Sequence, residues 1–257
     1  TFTEKAAKEI ITRISSAIPN FDLTDVSIGT FHPICLRIVR DNLAFIPNLK
    51  KNFTLMDDFD QKYFIYQKLS AVCGDTVEEL REQVWQTYGK PLPKVDLAEL
   101  IEHDNIHGWL QRQINLAESR EAALIKETLA FCGATAKDLI KEAFKEHGAI
   151  IGNSVQNTEK YDALTAKGLY VILNDYYLNG MPCDQADMVI QSDDDSILWR
   201  IGHCLQEPNW KRVNISPAIM LELYQSWLEA FVGALNNNFS FRVIESENSL
   251  TYEIFKN

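Results

Sequence analysis

The apolar residues at the start of the chain recur at helical spacing and stop at a proline. In TFTEKAAKEIITRISSAI, Thr3 stands where a helix N-cap is expected, and charged residues occupy the side opposite the apolar stripe. The stripe consists of Ala7, Ile10, Ile11, Ile14 and Ile18. The pattern predicts a helix that ends at Pro19.

A short apolar run follows and leads directly into a second amphipathic segment. Residues 26–31 predict a strand, and Pro33 falls in the first turn of the next helix, where its missing N–H costs no hydrogen bond. Residues 53–56 predict another brief strand. Asp57 and Asp60 then cap a predicted helix that buries Phe59, Tyr63, Phe64 and Leu69.

From Thr76 onward the periodicity is mostly helical. Thr76 and Glu79 have the spacing of a capping box, and the break from Gly89 to Pro93 ends the first helix of this region. A loop is predicted over residues 181–195, and Ser216 followed by Pro217 predicts the start of a late helix. The other predicted helices cover residues 95–116, 118–131, 136–147 and 159–179, the last closed by Gly180.

The final stretch, FSFRVIESENSLTYEIF, alternates apolar and polar residues on both sides of a polar turn. Such alternation is typical of a β-hairpin. Together the patterns predict a fold that is mainly α with a few short strands.

Composition sets broad limits on the kind of protein. A chain of 257 residues with 46% hydrophobic residues can form one or two domains. It contains no apolar run long enough to span a membrane and no signal-peptide pattern at its start, which favours a cytoplasmic protein. Reduced thiols are expected, because the cysteines are odd in number and lack paired spacing: Cys35, Cys73, Cys132, Cys183 and Cys204.

Charge is distributed unevenly along the chain. The formal net charge is -11, which argues against nucleic-acid binding, because phosphates need Lys and Arg. Residues 1–70 carry nine Lys or Arg and eight Asp or Glu, whereas residues 71–257 carry 16 and 28, a net charge of -12. The acidic part is interpreted as a solvated surface that keeps the protein dissolved.

Two junctions between an extended segment and a helix carry similar residues. Thr1, Phe2 and Thr3 precede the first helix, and Thr30, Phe31 and His32 precede the second. A helix N-terminus can hold a phosphate through its unpaired N–H groups, and a phenylalanine ring can stack on a base. Spacing alone equally allows a cap at Thr3 and core positions for both rings.

Three sequence blocks, in order, resemble UvrD/Rep-type superfamily 1 DNA helicases. TFTEKAAKEIITRI is similar to the family's motif Ia, IGTFHPICLRIVRDN to its Thr-Phe-His motif, and NFTLMDDFDQKYFIYQKL to the strand and helix that enter subdomain 1B. The resemblance covers residues 1–69. A weaker likeness continues in LELYQSWLEAFVGALNNNFSF, where Asn238 replaces the family's usual Asp.

The resemblance implies a parent protein that uses ATP and Mg²⁺ to move 3′ to 5′ on single-stranded DNA. It implies a partial RecA-like α/β segment, followed by a large helical subdomain of the 1B type. The residues it places against single-stranded or forked DNA are Phe2, Thr3, Lys5, Thr30, Phe31 and His32. Pro33 stands where the family more often has Ser.

The ATP-binding loop of the family is missing from this sequence. No G-x-x-x-x-G-K-[ST] pattern occurs, and FTLMDDFDQ is not a Walker B strand, because Asn52 and Thr54 interrupt the apolar run that a buried parallel strand requires. We therefore expect a fragment that lies between Walker A and motif II and neither binds nor hydrolyses ATP alone. Its expected parts are a 1A segment at 1–70, a 1B-type insertion at 71–235, and a hairpin or return segment at 236–257.

No catalytic or metal-binding residue is predicted. His103 and His107 lie one turn apart but lack the remaining ligands of a zinc site, so they are interpreted as a surface pair. Neither His32 with Cys35 nor His203 with Cys204 has a recognisable third group for nucleophilic catalysis.

Two further clusters have both a structural and a functional interpretation. Residues 193–195, three successive aspartates, are interpreted as a solvated loop rather than a cation site. The aromatic residues of the helical region are interpreted as core anchors rather than a stacking platform: Trp199, Trp210, Tyr224 and Trp227. A second functional hypothesis treats the acidic helical region as a module that binds a basic or regulatory protein.

Overall fold

The computed structural model describes a helical unit that carries one small sheet. The described ranges are 68–70, 74–93, 100–102, 105–156, 161–177, 179, 186–202, 204–246 and 249–257. Of these, residues 100–102 and 105–109 belong to one compact unit, and all the others belong to a second, which contains the sheet and the core.

Six helices and four strands are described. The helices are α1 (Thr76–Tyr88), α2 (Ile106–Cys132), α3 (Ala134–Gln156), α4 (Ala166–Tyr176), α5 (Glu207–Arg212) and α6 (Pro217–Leu235). The strands are β1 (Asp187–Ser192), β2 (Ser196–Ile201), β3 (Phe239–Ser246) and β4 (Ser249–Lys256). The expectation of a mainly α fold with a few short strands is confirmed.

The four strands form one antiparallel sheet with the order β1-β2-β4-β3. Residues that face each other across the ladder share a face, because side chains alternate along a strand. The inner face carries buried apolar residues from three strands, among them Trp199, Phe241, Tyr252 and Ile254. Helix α4 packs on this face through Tyr170, whose ring centroid lies 4.8 Å from that of Trp199.

The core is centred on the packing of α3 against α6, where two glycines bring the helix backbones together. A Cβ atom at Gly148 would overlap the backbone oxygen of Trp227, and one at Gly152 would lie 2.6 Å from that of Phe231. Both positions are closer than a van der Waals contact allows, so only glycine permits this approach.

A buried hydrogen bond fixes the same helix pair. The indole Nε1–H of Trp227 donates to Nδ1 of His147 at 2.8 Å. Because Nδ1 accepts, His147 carries no proton on that atom. His147 precedes Gly148, so the polar contact and the close approach occur at the same level of the helix pair.

The aromatic residues of the helical region are confirmed as core anchors. Trp199, Trp210 and Trp227 are at most 3% exposed. Trp227 stacks on Phe231 with ring centroids 4.8 Å apart, and Tyr224 stacks on Trp210 at 5.8 Å. The rings fill the space between α6, α5 and the inner face of the sheet.

Several predicted helix boundaries are wrong. The two helices predicted over residues 95–116 and 118–131 form a single helix, α2, where the structure describes them. Ala117 and Glu118 favour helix, and neither Gly nor Pro stands at the predicted break. The segment 136–147 continues to Gln156, since Gly148 packs against α6 instead of ending the helix. The segment 159–179 is shortened to α4, whose N-cap Thr165 accepts a hydrogen bond from the N–H of Gly168.

The predicted capping box does not form at the start of α1. The N-cap residue is Asp75, and no side-chain hydrogen bond caps the helix there. The N–H groups of Glu78 and Glu79 instead donate to the backbone oxygen of Asp75, at 3.0 and 3.2 Å. Backbone hydrogen bonds therefore take the place of the side-chain hydrogen bonds that the capping-box pattern predicted.

The segment 181–195, predicted to be a loop, contains the first strand and the turn of a β-hairpin where the structure describes it. β1 and β2 pair on either side of residues 193–195, with a bulge between Val189 and Gln191. Met188, Val189 and Ile190 are consecutive apolar residues on an exposed edge strand, so the alternation that identifies a strand is missing. The C-terminal alternating stretch corresponds to the paired strands β3 and β4.

Leu69, which was predicted to be buried, is a fully buried core residue. The remaining expectations are not tested by the structure. The elements predicted before residue 68 lie outside the described residues, so the three-part division at residues 70 and 235 stays a prediction. Within the described ranges, no helix has both the length and the apolar character needed to cross a membrane.

We expect Gly148→Ala to lower the free energy of unfolding by about 1–3 kcal/mol, because the added methyl group must push α3 away from α6. The measurement is denaturant unfolding followed by far-ultraviolet circular dichroism. Gly233→Ala is the matched control. It lies in α6, a Cβ there meets no atom within 4 Å, and the change should raise stability by about 0.5–1 kcal/mol. Equal stability of Gly148→Ala and the wild type would contradict the close approach.

Candidate functional site

The residues predicted to contact DNA lie outside the described part of the chain. They are Phe2, Thr3, Lys5, Thr30, Phe31 and His32. Pro33 and Cys35 lie outside it as well. The roles of these residues therefore stay predictions.

A cavity of about 290 Å³ lies where the inner face of the sheet meets α5 and α6. Its walls combine aromatic rings with amide groups and a thiol: Tyr177, Trp210, Tyr224 and Tyr252, then Asn179, Gln206 and Cys204. The ring of Tyr177 reaches it from the end of α4, and Tyr252 from the central strand β4. The indole N–H of Trp210 is buried and has no hydrogen-bond partner among the described residues.

The tyrosines of this cavity are neutral at physiological pH. Burial raises the pKa of Tyr177 well above its usual value and that of Tyr252 to about 12. Burial, followed by the charges of Glu121 and Glu118, also raises the pKa of Tyr224 well above its usual value. Tyr224 donates its hydroxyl proton to Oε2 of Glu121 at 2.5 Å.

Cys204 does not have the features of a nucleophile. Burial raises the pKa of its thiol, and the thiol donates to Oε1 of Gln206 at 3.3 Å. His203 lies outside the described residues. Among the described residues that line the cavity, none is a base that could take the proton of this thiol.

The three aspartates at residues 193–195, which we call the acidic turn, are held by hydrogen bonds and ion pairs. The hydrogen bond from Gln191, followed by those from the N–H groups of Ser196 and Asp195, lowers the pKa of Asp193. Asp194 pairs with Lys167 at 2.6 Å, and Asp195 pairs with Lys256 at 2.7 Å. This arrangement matches the interpretation of a solvated loop.

The described residues offer no metal site. No group of three or more His, Cys, Asp or Glu side chains among them could hold a metal ion. His107 is exposed, and His103 lies outside the described residues.

The sheet face opposite the helices carries a different set of residues, which sequence analysis missed. We call it the outer face and define it by Leu198, Arg200, Arg242, Ile244, Glu253 and Phe255. Its signal was the alternation in SILWRI, where Ile197 and Trp199 are buried on either side of Leu198. Because residues 181–195 were predicted to be a loop, residues 196–201 had no neighbouring strand to pair with. One short alternating stretch does not identify a strand by itself.

Comparisons with known proteins identify the family of the chain. The Rep ATP-dependent DNA helicase of Escherichia coli is 38% identical over 111 residues, which cover 41% of this chain and 16% of the relative. The Rep helicase of Buchnera aphidicola is 32% identical over 84 residues, 33% of this chain and 12% of the relative.

A third relative is the PcrA ATP-dependent DNA helicase of Bacillus subtilis, which is 42% identical over 62 residues. That match covers 24% of this chain and 8% of the relative, so the chain spans only a small part of the curated relatives it matches. No solved structure matches the chain. The sequence model of the UvrD/REP helicase N-terminal domain matches residues 1–198, which are most of the chain, and the chain therefore belongs to this family.

Proposed function

We propose that this chain is the DNA-path portion of an ATP-dependent helicase that moves 3′ to 5′ on single-stranded DNA. The family match carries the proposal, because residues 1–198 include all six residues predicted to contact DNA. The Rep and PcrA relatives are ATP-dependent DNA helicases, which supports the same substrate class.

The proposed contacts need little positive charge. The N-termini of the two predicted helices, which follow Thr3 and His32, would hold phosphates through backbone N–H groups. Thr3 and Thr30 would contact the strand beside them. Phe2 and Phe31 would stack on bases, and Lys5 and His32 would add polar contacts to the strand. Residues 1–70 have a net charge near zero, which fits binding through dipoles and rings more than through a basic patch.

We assign the described helices to a 1B-type insertion that follows a partial RecA-like segment at residues 1–70. The parent protein would bind ATP and Mg²⁺. This sequence contains no G-x-x-x-x-G-K-[ST] loop, so we assign neither the nucleotide nor the metal to this chain.

A protein-interaction module is the second candidate function. Residues 71–257 carry a net charge of -12, and β1 exposes three successive apolar residues, Met188, Val189 and Ile190. An exposed apolar edge strand in an acidic unit fits a partner of basic character. This candidate predicts binding to a protein in place of DNA.

We expect the full chain to bind labelled single-stranded DNA at low salt, with an affinity that falls only moderately toward physiological salt, because few of the proposed contacts pair a Lys or Arg with a phosphate. Phe2→Ala and His32→Ala should each weaken binding, Phe2→Ala by about fivefold or more because a stacked ring is lost. Fluorescence anisotropy of the labelled strand measures the dissociation constant. Phe131→Ala and His107→Ala are matched controls at exposed positions outside the blocks and should bind like the wild type. Absence of binding to single-stranded and forked DNA at low salt would favour the interaction module.

We also expect no ATP hydrolysis above background by the purified chain, with or without single-stranded DNA, because the phosphate-binding loop is missing from its sequence. A phosphate-release assay measures it, and the same protein sample that binds DNA should be used. Hydrolysis that increases when DNA is added would show that the chain is a complete motor and would overturn the assignment to the DNA path alone.

A further inference from the structure

The outer face of the sheet is the surface opposite the one that holds the core. Trp199, Tyr252 and Ile254 lie on the inner face and are buried against α4 and α6. Arg200 follows Trp199 on β2 and is exposed, and Arg242 of β3 is likewise exposed. Both guanidinium groups therefore reach the surface of the part of the chain that the structure describes, where a partner could contact them.

The charge of the outer face is opposite to that of the surrounding region. The outer face has two arginines and one acid, Glu253, which lies opposite Arg242 and is only 9% exposed. Oε2 of Glu253 accepts from Nε of Arg242 at 2.5 Å, and Oε1 accepts from the hydroxyl of Ser196 at 2.9 Å. Arg200 makes no ion pair with a described residue. The outer face thus carries a net positive charge within a region whose net charge is -12.

The side chains of Arg242 and Phe255 contact each other on the outer face. The guanidinium carbon of Arg242 is 4.4 Å from the centre of the Phe255 ring. Because Nε is used by Glu253, the remaining N–H groups of Arg242 can donate to a phosphate. Guanidinium planes and aromatic rings both stack on unpaired bases. This pair can therefore contact a base and its phosphate together.

The two arginines are spaced for neighbouring parts of one extended strand. In the ladder, Arg200 is level with Ile244, two residues from Arg242, and β4 lies between β2 and β3. Strand spacing and rise place their Cα atoms about 12 Å apart. Leu198 and Ile244 provide apolar surface between and beside them. The outer face therefore presents Arg200, which has no ion-pair partner among the described residues, and Arg242, which shares its charge with Glu253.

Nearby acids reduce the positive potential only partly. Residues 193–195 lie just before the start of β2, and Ser196 pairs with Phe255. Asp194 and Asp195 are paired with Lys167 and Lys256, so their charges are offset. Asp193 keeps its negative charge.

We propose that the outer face binds single-stranded DNA as a second contact surface, with Arg200 and Arg242 on phosphates and the Arg242–Phe255 pair against a base. The proposal deepens the proposed function and rests on it for the class of ligand. An acidic peptide would satisfy the arginines but not the stacking pair. The combination of ring, guanidinium and separated cations favours a nucleic-acid strand.

The test uses the full chain and a labelled oligo-thymidine, with dissociation constants measured across a salt series. Arg200→Gln should weaken binding and reduce the slope of log affinity against log salt by about 0.7, the effect of losing one phosphate contact on a single strand. Arg212→Gln, an exposed arginine of α5, is the matched control and should leave the slope unchanged. Phe255→Leu keeps apolar bulk in the sheet, and it should weaken binding about fivefold or more without changing the slope.

The outcomes separate this proposal from the proposed function. The outer-face proposal is overturned if Arg200→Gln and Phe255→Leu keep the slope and affinity of the wild type while Phe2→Ala weakens binding. That result would leave the N-terminal contacts intact. Weakened binding in the outer-face variants but not in Phe2→Ala or His32→Ala would support the outer face and count against the N-terminal contacts. Binding of poly-glutamate in place of oligo-thymidine, lost in Arg200→Gln, would show that the face takes an acidic peptide and would overturn the proposal.

Discussion

The close approach of α3 and α6 is the constraint on which the described helices and sheet depend. With glycine at 148 and 152, the two helix backbones come near enough for His147 to accept the Trp227 hydrogen bond. Helix α6 also packs against β3, α4 and α5, so its position sets where the inner face of the sheet can lie. The aromatic residues between α6 and the sheet then fill the remaining space, and Arg200 and Arg242 lie on the opposite face of the sheet.

Sequence patterns predicted the kinds of element well and their limits poorly. The helix from Pro217 and the alternation of the C-terminal stretch were visible because each has a clear period and a clear start. The continuity of α2 across Ala117 and of α3 across Gly148 was not visible. A local change in polarity resembles a helix end, and whether a glycine ends a helix depends on what packs against it. The β1–β2 hairpin was missed because its first strand is an exposed edge without alternation.

The same limits apply to the candidate sites. The buried tryptophans could be predicted as core from their apolar neighbours, whereas the outer face arises only when β2, β3 and β4, which are distant in sequence, pair in register. The charge total over residues 71–257 does not reveal that two exposed arginines lie on one face of the sheet. The N-terminal candidate site differs, because its residues were predicted from specific sequence motifs. Those residues lie outside the described ranges.

Ultraviolet cross-linking of the full chain to single-stranded oligo-thymidine, with the modified peptides identified by mass spectrometry, tests the DNA-path assignment most directly. We predict cross-linked peptides that contain Phe2 or Phe31, with a second set that contains Phe255. Cross-links confined to residues 74–177, or none at low salt, would contradict the assignment of this chain to the DNA path of a helicase.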